Sequence, residues 1–464
     1  MSSPAPSRPH ATAADRLPAS TVARFAIGSI GTGGFATLPG LVLVFYLTDT
    51  LGVAAWAAGI VVAAAKIWDV LIDPVIGSVS DRSLARTGSR RRIMVIGALA
   101  LPVFFLLTFA VPAGVGPVVG AVWVIVAFML TSTAFSFFQV PYIALPAELA
   151  DRYDQRTRLL TTRVAVLSFA ILLFGAGGPL LRGIGDEHTG YLVMALVAGV
   201  VIAVGMLIAT TVAPRGPVSV APMRTPIVDG YREGLAAIRR SAPFRALLGV
   251  FLLQAVATGL MLAGANYVAV WVMRSEDALT FLFVALIAPA ILFSPVWNAV
   301  ARRIGKERAF AAASVVFAIA TATLTAAIWA PGPWIYASVA LAGAAYAGMQ
   351  ALPMAMLPDV ISHDAQVSGR SRAGVFGGVW TAGETTGMAF GAAGLTAILT
   401  LTGYRESVAG VDVAQPSEAV TGIAVSFGIV PAVLTLVSLV FLARYRLRRS
   451  DIDGVVAPSA AVGS

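Results

Sequence analysis

The chain has 464 residues, of which 58% are hydrophobic and 12% are charged, whereas a soluble protein carries about 25% charged residues. This composition excludes an ordinary soluble domain. The net charge of +9 lies in short clusters between apolar runs, which indicates membrane loops rather than a nucleic-acid-binding surface. There is no cysteine, and His10, His188 and His363 lack metal-ligand spacing. We therefore expect no cofactor beyond a coupling ion.

Apolar runs follow one another almost without interruption, and about 20 apolar residues suffice to cross a bilayer as a helix. They predict an all-α membrane protein with twelve transmembrane helices. The predicted spans are 25–47, 54–79, 93–111, 118–149, 159–181, 191–212, 246–273, 279–300, 309–329, 334–361, 374–401 and 420–443.

The remaining segments are polar. Residues 1–22, which lack the apolar core of a signal peptide, and residues 445–464 are predicted to be disordered cytoplasmic tails. Residues 213–242 are predicted to be a cytoplasmic linker between two six-helix halves, 23–212 and 243–444.

Arginine clusters alternate from one loop to the next. They follow predicted helices 2, 4, 6, 8, 10 and 12, whereas the opposite loops carry only Arg182, Arg274 and Arg405. Because cytoplasmic loops are enriched in Lys and Arg, this pattern predicts that both termini are cytoplasmic. An inner-membrane location of the bacterial type follows.

The two halves contain similar segments. Predicted helix 4 ends in QVPYIALPAE, from Gln139 to Glu148, and predicted helix 10 ends in QALPMAMLPD, from Gln350 to Asp359. Two six-helix halves related by a parallel repeat are the architecture of major facilitator transporters. We therefore predict that fold, and a function as a secondary transporter of a small solute.

Predicted helix 2 carries three ionisable residues on one face: Lys66, Asp69 and Asp73 at positions i, i+3 and i+7. Charges at this depth are costly and usually functional. Lys66 can pair with one carboxylate, which leaves the other to bind H⁺ or Na⁺. Pro74 cannot donate to the Val70 carbonyl, which becomes a further possible ligand. The alternative is a purely structural salt bridge.

Other polar side chains at membrane depth predict a central cavity. The candidates for solute binding are Arg163, Tyr142, Gln350, Trp380 and Glu384. Arg163 could instead reach the lipid headgroups, and the polar residues could form hydrogen bonds between helices. At the cytoplasmic end of predicted helix 2, Gly77, Asp81 and Arg82 are candidate gating residues.

Several segments resemble the glycoside–pentoside–hexuronide:cation symporters, the melibiose permease family. They are KIWDVLIDPVIG at 66–77, VPYIALPAE at 140–148, Arg156 to Arg163, LPDV at 357–360, GRSR at 369–372 and GGVW at 377–380. The resemblance implies cation symport with Asp69 and Asp73 as cation ligands. It also implies a solute-binding role for Arg163 and a place for Gln139 beside the cation.

The chain also departs from this family's sugar-binding members. Gly34 and Gln139 replace aspartates, Ile143 and Met354 replace tryptophans, and Thr385 replaces a lysine. We therefore expect a sugar-like solute other than a typical galactoside. The alternatives are a lysolipid-like amphiphile, which related symporters accept, or proton-coupled export of amphiphiles.

Two other classes of protein remain as rivals. A membrane enzyme would need a nucleophile–base pair or a metal cluster, and a transporter-like sensor would need an output domain. Because one chain contains the whole pathway, a monomer is expected.

Overall fold

We analysed the chain in a computed structural model. It describes residues 17–112, 114–150, 153–214, 236, 238–275, 277–368, 373–411, 413–445 and 447. Most of the predicted tails, 1–22 and 445–464, and of the predicted linker, 213–242, lie outside these residues. So do the cluster arginines Arg152, Arg370 and Arg372.

The described residues form twelve long helices, which we number in chain order. They are α1 Ala19–Thr50, α2 Ala55–Thr87, α3 Arg91–Phe109, α4 Pro117–Leu149, α5 Tyr153–Arg182, α6 Glu187–Thr210, α7 Ala242–Val272, α8 Ala278–Ile304, α9 Lys306–Ile328, α10 Trp334–Ser368, α11 Ala373–Leu401 and α12 Ser417–Leu442. The last turns of α1 and α7 are π-helical, and α12 is interrupted at Gly428.

Eleven of these helices are, within the described residues, long and apolar enough to cross a membrane. The exception is α11, which has 29 residues and so exceeds the length required for a bilayer. Its glycines, threonines and Glu384 make it less apolar than the others. It packs along α7 and α2, so it belongs to the bundle, which agrees with the predicted fold.

Several helices extend beyond their predicted apolar spans. Helix α1 begins at Ala19, inside the predicted tail 1–22, and α5 begins at Tyr153. Helix α2 continues past residue 79 to Thr87, where Gly88 with φ 65° ends it in a left-handed conformation. Apolar runs mark the part of a helix inside lipid, whereas the helix itself continues into water until a residue caps it.

The two halves meet along three pairs of helices: α1 with α7, α2 with α11, and α5 with α8. We call the membrane face where α1 begins and α12 ends the termini side, and the opposite face the far side. In the described part of the chain, the hydrogen bonds identified between the halves all lie on the far side. They include Thr280 Oγ1 donating to the Ala176 carbonyl at 3.3 Å and Tyr404 donating to Asp49 at 2.5 Å.

Glycines allow this far-side contact. A Cβ at Gly59 of α2 would overlap the Thr396 hydroxyl of α11, and a Cβ at Gly175 of α5 would overlap the Phe283 ring of α8. The helices therefore approach at these points as closely as backbone permits.

On the termini side, each ion pair identified among the described residues joins two residues of the same half, counting residues 236–241 as the start of the C-terminal half. Arg90 pairs with Asp81 and Glu148 in the N-terminal half, at 2.7 and 2.6 Å. Lys306 pairs with Asp359 in the C-terminal half, at 2.5 Å, and Arg240 joins the start of that half to Asp364. The hydrogen bonds identified between the halves thus join the far side, and among the described residues no ion pair or hydrogen bond identified on the termini side crosses from one half to the other.

We predict that Gly175→Ala weakens the far-side closure, because the new methyl group would overlap Phe283. The absence of cysteines allows spin labels at Ile184→Cys and Trp329→Cys, two exposed far-side positions in opposite halves. Pulsed EPR should show a larger population at long distances in the Gly175→Ala protein.

Gly177→Ala is the matched control, since nothing lies within 4 Å of a Cβ at Gly177 on the same helix. If both substitutions leave the distances unchanged, the Gly175 contact does not hold the far side closed.

Candidate functional site

The predicted cation residues of α2 form the pair that their spacing indicates. Lys66 Nζ lies 3.2 Å from Asp69 Oδ2, which confirms the predicted pairing. Asp69 Oδ1 and Asp73 Oδ1 are both buried and have no hydrogen-bond partner. One turn apart, the two carboxylates share a face, while Lys66 neutralises only one of them. Among the described residues no ion pair neutralises Asp73.

Helix α4 packs against this face of α2. Trp68 Nε1 donates to Thr133 Oγ1 at 2.9 Å, which fixes the helices on one side of Asp69. Ser136 of α4 faces Asp73. The two carboxylates, of which only Asp69 has an ion pair, and the Ser136 hydroxyl place several oxygen atoms on this face. Oxygen atoms are the ligands that hard cations prefer.

Two of the predicted cation ligands are engaged elsewhere. The Gln139 carbonyl oxygen accepts a hydrogen bond from Thr32 Oγ1 at 2.8 Å, so this amide joins α4 to α1. Val70, whose carbonyl was a further predicted ligand, also has an interaction within the protein. Asp69 and Asp73 thus remain the principal candidates.

Arg163 of α5 lies at the depth predicted for solute binding. Its guanidinium carbon is 5.2 Å from the centre of the Tyr142 ring, and its Nε is buried without a hydrogen-bond partner. A cation over an aromatic face is stabilised electrostatically, and Arg163 also forms a hydrogen bond with the Tyr142 side chain, so Tyr142 holds the guanidinium in place.

Tyr142 supports Arg163 rather than facing the cavity. It is fully buried between the rings of Phe25 and Phe138, and its hydroxyl donates to the Phe25 carbonyl at 2.7 Å. The prediction that Tyr142 contacts solute is therefore wrong for this conformation, because the α1–α4 packing covers the ring.

The C-terminal candidates also divide into supporting and accessible residues. Trp380 is 3% exposed and stacks on Phe251 of α7 at 4.0 Å, so it packs helices together instead of forming a solute platform. Gln350 is half-buried and donates to the Tyr346 hydroxyl on its own helix, α10. Glu384 of α11 is half-buried and interacts electrostatically with Tyr346.

The predicted gating cluster forms around a different arginine. Asp81 pairs with Arg90, whose other contacts are Glu148 and the Ser80 hydroxyl. Arg82 is exposed on the opposite side of the helix end. A Cβ at Gly77 would lie 3.7 Å from Val140, an ordinary contact, so Gly77 does not enforce a close approach in this conformation.

A far-side lock, formed by Thr48, Asp49, Tyr267, Tyr404 and Ser407, was missed by sequence reasoning. Asp49 is 5% exposed. Its carboxylate accepts hydrogen bonds from Thr48 Oγ1 and from the Tyr404 hydroxyl, each at 2.5 Å, while Ser407 donates to its carbonyl at 3.0 Å. The Tyr267 hydroxyl lies 2.6 Å from Thr48 Oγ1. The Trp271 side chain also interacts with this acid, and among the described residues no ion pair with Asp49 is identified.

Short backbone contacts continue the lock. The amides of Ser407 and Ala409 donate to the carbonyls of Thr48 and Thr50 at 3.0 Å. Glu406 accepts from the first amide of α2, Ala55, at 2.8 Å. The α11–α12 loop therefore joins the two halves across the far side. An acid at the end of the first apolar run was the only signal for it in the sequence.

Comparison with known proteins identifies the family. The family model described as MFS/sugar transport protein matches residues 24–449. The chain belongs to this family. Its fold and family are those of membrane transporters and not of enzymes, and the resemblance to glycoside–pentoside–hexuronide:cation symporters is confirmed.

Individual relatives agree with this assignment. The putative glycoside/cation symporter YagG of Escherichia coli is 24% identical over 89% of this chain and 88% of its own length. The sodium-dependent lysophosphatidylcholine symporter 1 of Mus musculus is 23% identical over 69% of this chain and 66% of its length. An uncharacterized symporter of Synechocystis sp. is 31% identical, but the match covers only 30% of that protein.

Solved structures show the same fold at low identity. A D-xylose–proton symporter superimposes with a TM-score of 0.65 at 14% identity, over 91% of this chain and 96% of that one. An inward-facing bacterial homologue of the lysosomal transporter Spinster gives a TM-score of 0.66 at 14% identity, over 93% and 97% of the two chains.

We predict that Tyr404→Phe loosens the far-side lock, because it removes one donor from a buried carboxylate. Leaving a buried charge under-satisfied costs about 1–3 kcal/mol. The far-side distance between labels at Ile184→Cys and Trp329→Cys should lengthen, and the melting temperature in detergent should fall.

Tyr336→Phe is the control, because the Tyr336 hydroxyl has no hydrogen-bond partner among the described residues. Equal distance distributions in the two variants would show that the hydrogen bond from Tyr404 to Asp49 does not keep the far side closed.

Proposed function

We propose that this protein is a symporter that couples entry of a small polar solute to an inward flow of H⁺ or Na⁺ bound by Asp69 and Asp73. The observation that carries the proposal is that Asp69 and Asp73 on α2 each have one buried carboxylate oxygen without a hydrogen-bond partner. Lys66 pairs with Asp69 and so compensates the charge of only one of these two residues. A carboxylate without a partner at membrane depth is costly unless an ion or proton joins it.

The membrane orientation follows from the arginines. Those at the termini side, such as Arg82, Arg90, Arg302 and Arg303, far outnumber those at the far side. We assign the termini side to the cytoplasm and the membrane to the bacterial inner membrane. The conformation is then closed to the outside and separate on the inside, as expected of a transporter releasing its cargo.

Transport proceeds by alternating access. With the far side open, the ion binds at Asp69 and Asp73, and solute binds between the halves near Arg163, Gln350 and Glu384. Rocking of the halves re-forms the far-side lock. The termini-side ion pairs lie within each half, so they keep each half rigid while the gap between the halves opens. The whole pathway lies in one chain, so a monomer suffices.

The solute class follows from the relatives and from the cavity. Curated relatives are described as glycoside and glucuronide carriers, and Arg163 offers guanidinium donors to hydroxyl or carboxylate groups. We propose a glycoside-like solute as the first candidate. Gly34 takes the position of a sugar-binding aspartate in the family that this chain resembles. A Cβ there would overlap Phe174 and Ile202, so this position has no room for a sugar-binding side chain.

A lysolipid-like amphiphile is the second candidate. Ile143 and Met354 occupy equivalent positions in the two repeats, one turn after Gln139 and Gln350, and are 52% and 57% exposed. These apolar side chains would suit an acyl chain better than a sugar ring, and a relative is named as a lysophosphatidylcholine symporter.

We predict that the double variant Asp69→Asn, Asp73→Asn loses gradient-driven accumulation of the solute. The site would then bind no cation, so an ion gradient could not drive uptake. Counterflow exchange without an ion gradient should persist if the solute site is intact. Accumulation in proteoliposomes is the measurement, and Glu418→Gln, an exposed acid at the start of α12, is the control. Full accumulation by the double variant would rule out these coupling residues.

Ion-dependent stability gives a second test. A ligand at 100 times its Kd stabilises the folded state by about 2.7 kcal/mol. The melting temperature in detergent should therefore rise with Na⁺ or Li⁺, or else vary with pH, and Asp73→Asn should abolish that response. A sodium response identifies sodium coupling, and a pH response alone identifies proton coupling. A response that survives in Asp73→Asn would place the ion elsewhere.

A further inference from the structure

Glu384 is an acid in the C-terminal half that has no counterion. It lies in the twelfth position of α11, about 16 Å along the helix axis from its termini-side end at 1.5 Å per residue. Among the described residues it takes part in no ion pair or hydrogen bond. Two acids at the termini-side end of this half, Asp359 and Asp364, pair with Lys306 and Arg240.

Within the described part of the chain, the surroundings of Glu384 are polar, and no cationic side chain pairs with it. Trp380, one turn earlier, is buried against Phe251 and fills the space toward α7. Across from Glu384, on α10, lies the Tyr346 hydroxyl, which already accepts a hydrogen bond from Gln350. The Glu384 carboxylate and the Tyr346 phenol are thus close enough to interact, and the oxygens of both groups can accept hydrogen bonds.

The opposite half presents a positive group at a matching depth. Helices α5 and α11 are the fifth helices of the two repeats, and Arg163 is the eleventh residue of α5. Its Nε is buried without a hydrogen-bond partner, and its guanidinium rests on the Tyr142 ring. The two halves therefore hold unneutralised charges of opposite sign on equivalent helices.

We propose that Glu384 binds a protonated amine of the transported solute, so that the solute bears a basic nitrogen toward the C-terminal half and an anionic or hydroxyl-rich end toward Arg163. This inference rests on the proposed transport function and narrows its substrate to amino-bearing molecules, such as amino sugars or amphiphiles with an ammonium headgroup. The solute's charge supplies the counterion that the protein lacks, because an acid at this depth requires a partner.

The test compares matched probes that differ in whether they carry a positively charged nitrogen. Binding to the detergent-purified full chain is measured by thermal shift, without an ion gradient, with methyl 2-amino-2-deoxy-β-D-glucoside and with its N-acetyl and 2-hydroxy analogues. Lysophosphatidylethanolamine, whose headgroup is a protonated amine, and lysophosphatidic acid form a second pair. In at least one set we expect the amine or ammonium member to bind about tenfold or more tightly than its neutral or anionic partners.

Substitutions assign that preference to Glu384. Glu384→Gln should reduce binding of the cationic probe to the level of its uncharged partner, whereas Glu384→Asp, which keeps the charge, should retain the preference. Glu418→Gln, an exposed acid outside the cavity, should have no effect. The Asp variant also keeps the test informative if the Gln variant fails to fold.

Three outcomes would overturn the inference. The first is that no cationic probe binds better than its partner, including no binding by either. The second is a preference that survives in Glu384→Gln. The third is unchanged binding in Glu384→Gln with loss of proton-driven uptake, which would make Glu384 a proton site. Because binding is measured without a gradient, failure here is distinct from failure of coupling at Asp69 and Asp73.

Discussion

The free-energy cost of an uncompensated charge inside a bilayer explains where this structure pairs its charged side chains and where it does not. Such a charge must be paired, face water or meet a ligand. At the termini side, Arg90, Lys306 and Arg240 each pair with acids in their own part of the chain. At central depth, Asp73, Arg163 and Glu384 have no ion-pair partner among the described residues. The charges that the protein leaves without a partner are therefore those that an ion and a solute can neutralise.

The two membrane faces use different kinds of interaction. At the termini side, charged pairs hold each half together. At the far side, the halves are joined by glycine contacts and by hydroxyl groups around Asp49. A carboxylate held by hydroxyls can be released to water without separating two full charges. A contact of this type is strong enough to exclude water and weak enough to break in every cycle.

The sequence was sufficient for the features that depend on local spacing. Apolar runs predicted the helices, and the separation of Lys66 and Asp69 by three residues predicted their ion pair. The sequence was not sufficient where the partner is distant along the chain. Asp81 pairs with Arg90 beyond the helix end rather than with its neighbour Arg82, and Asp49 meets Tyr404 from the other half. Whether an aromatic residue faces a cavity or packs against another helix, as Tyr142 and Trp380 do, also depends on tertiary packing.

The repeats have diverged in a way that suits coupling. Helix α2 carries Lys66, Asp69 and Asp73 in the membrane, whereas its repeat partner α8 carries no acidic residue and has its charged residues, Arg302 and Arg303, in its last turn. The fifth helices of the two repeats also differ in charge, because α5 carries the cationic Arg163 and α11 carries the acidic Glu384. On the function proposed above, ion binding falls to the N-terminal half, while the solute contacts both halves. Arg163 lies in the same half as the proposed ion site, so an ion on α2 can act on that end of the solute within one rigid half, whereas it can act on the end at Glu384 only through the relative position of the halves. The proposed coupling therefore depends on the rocking movement for the part of the solute that the C-terminal half binds.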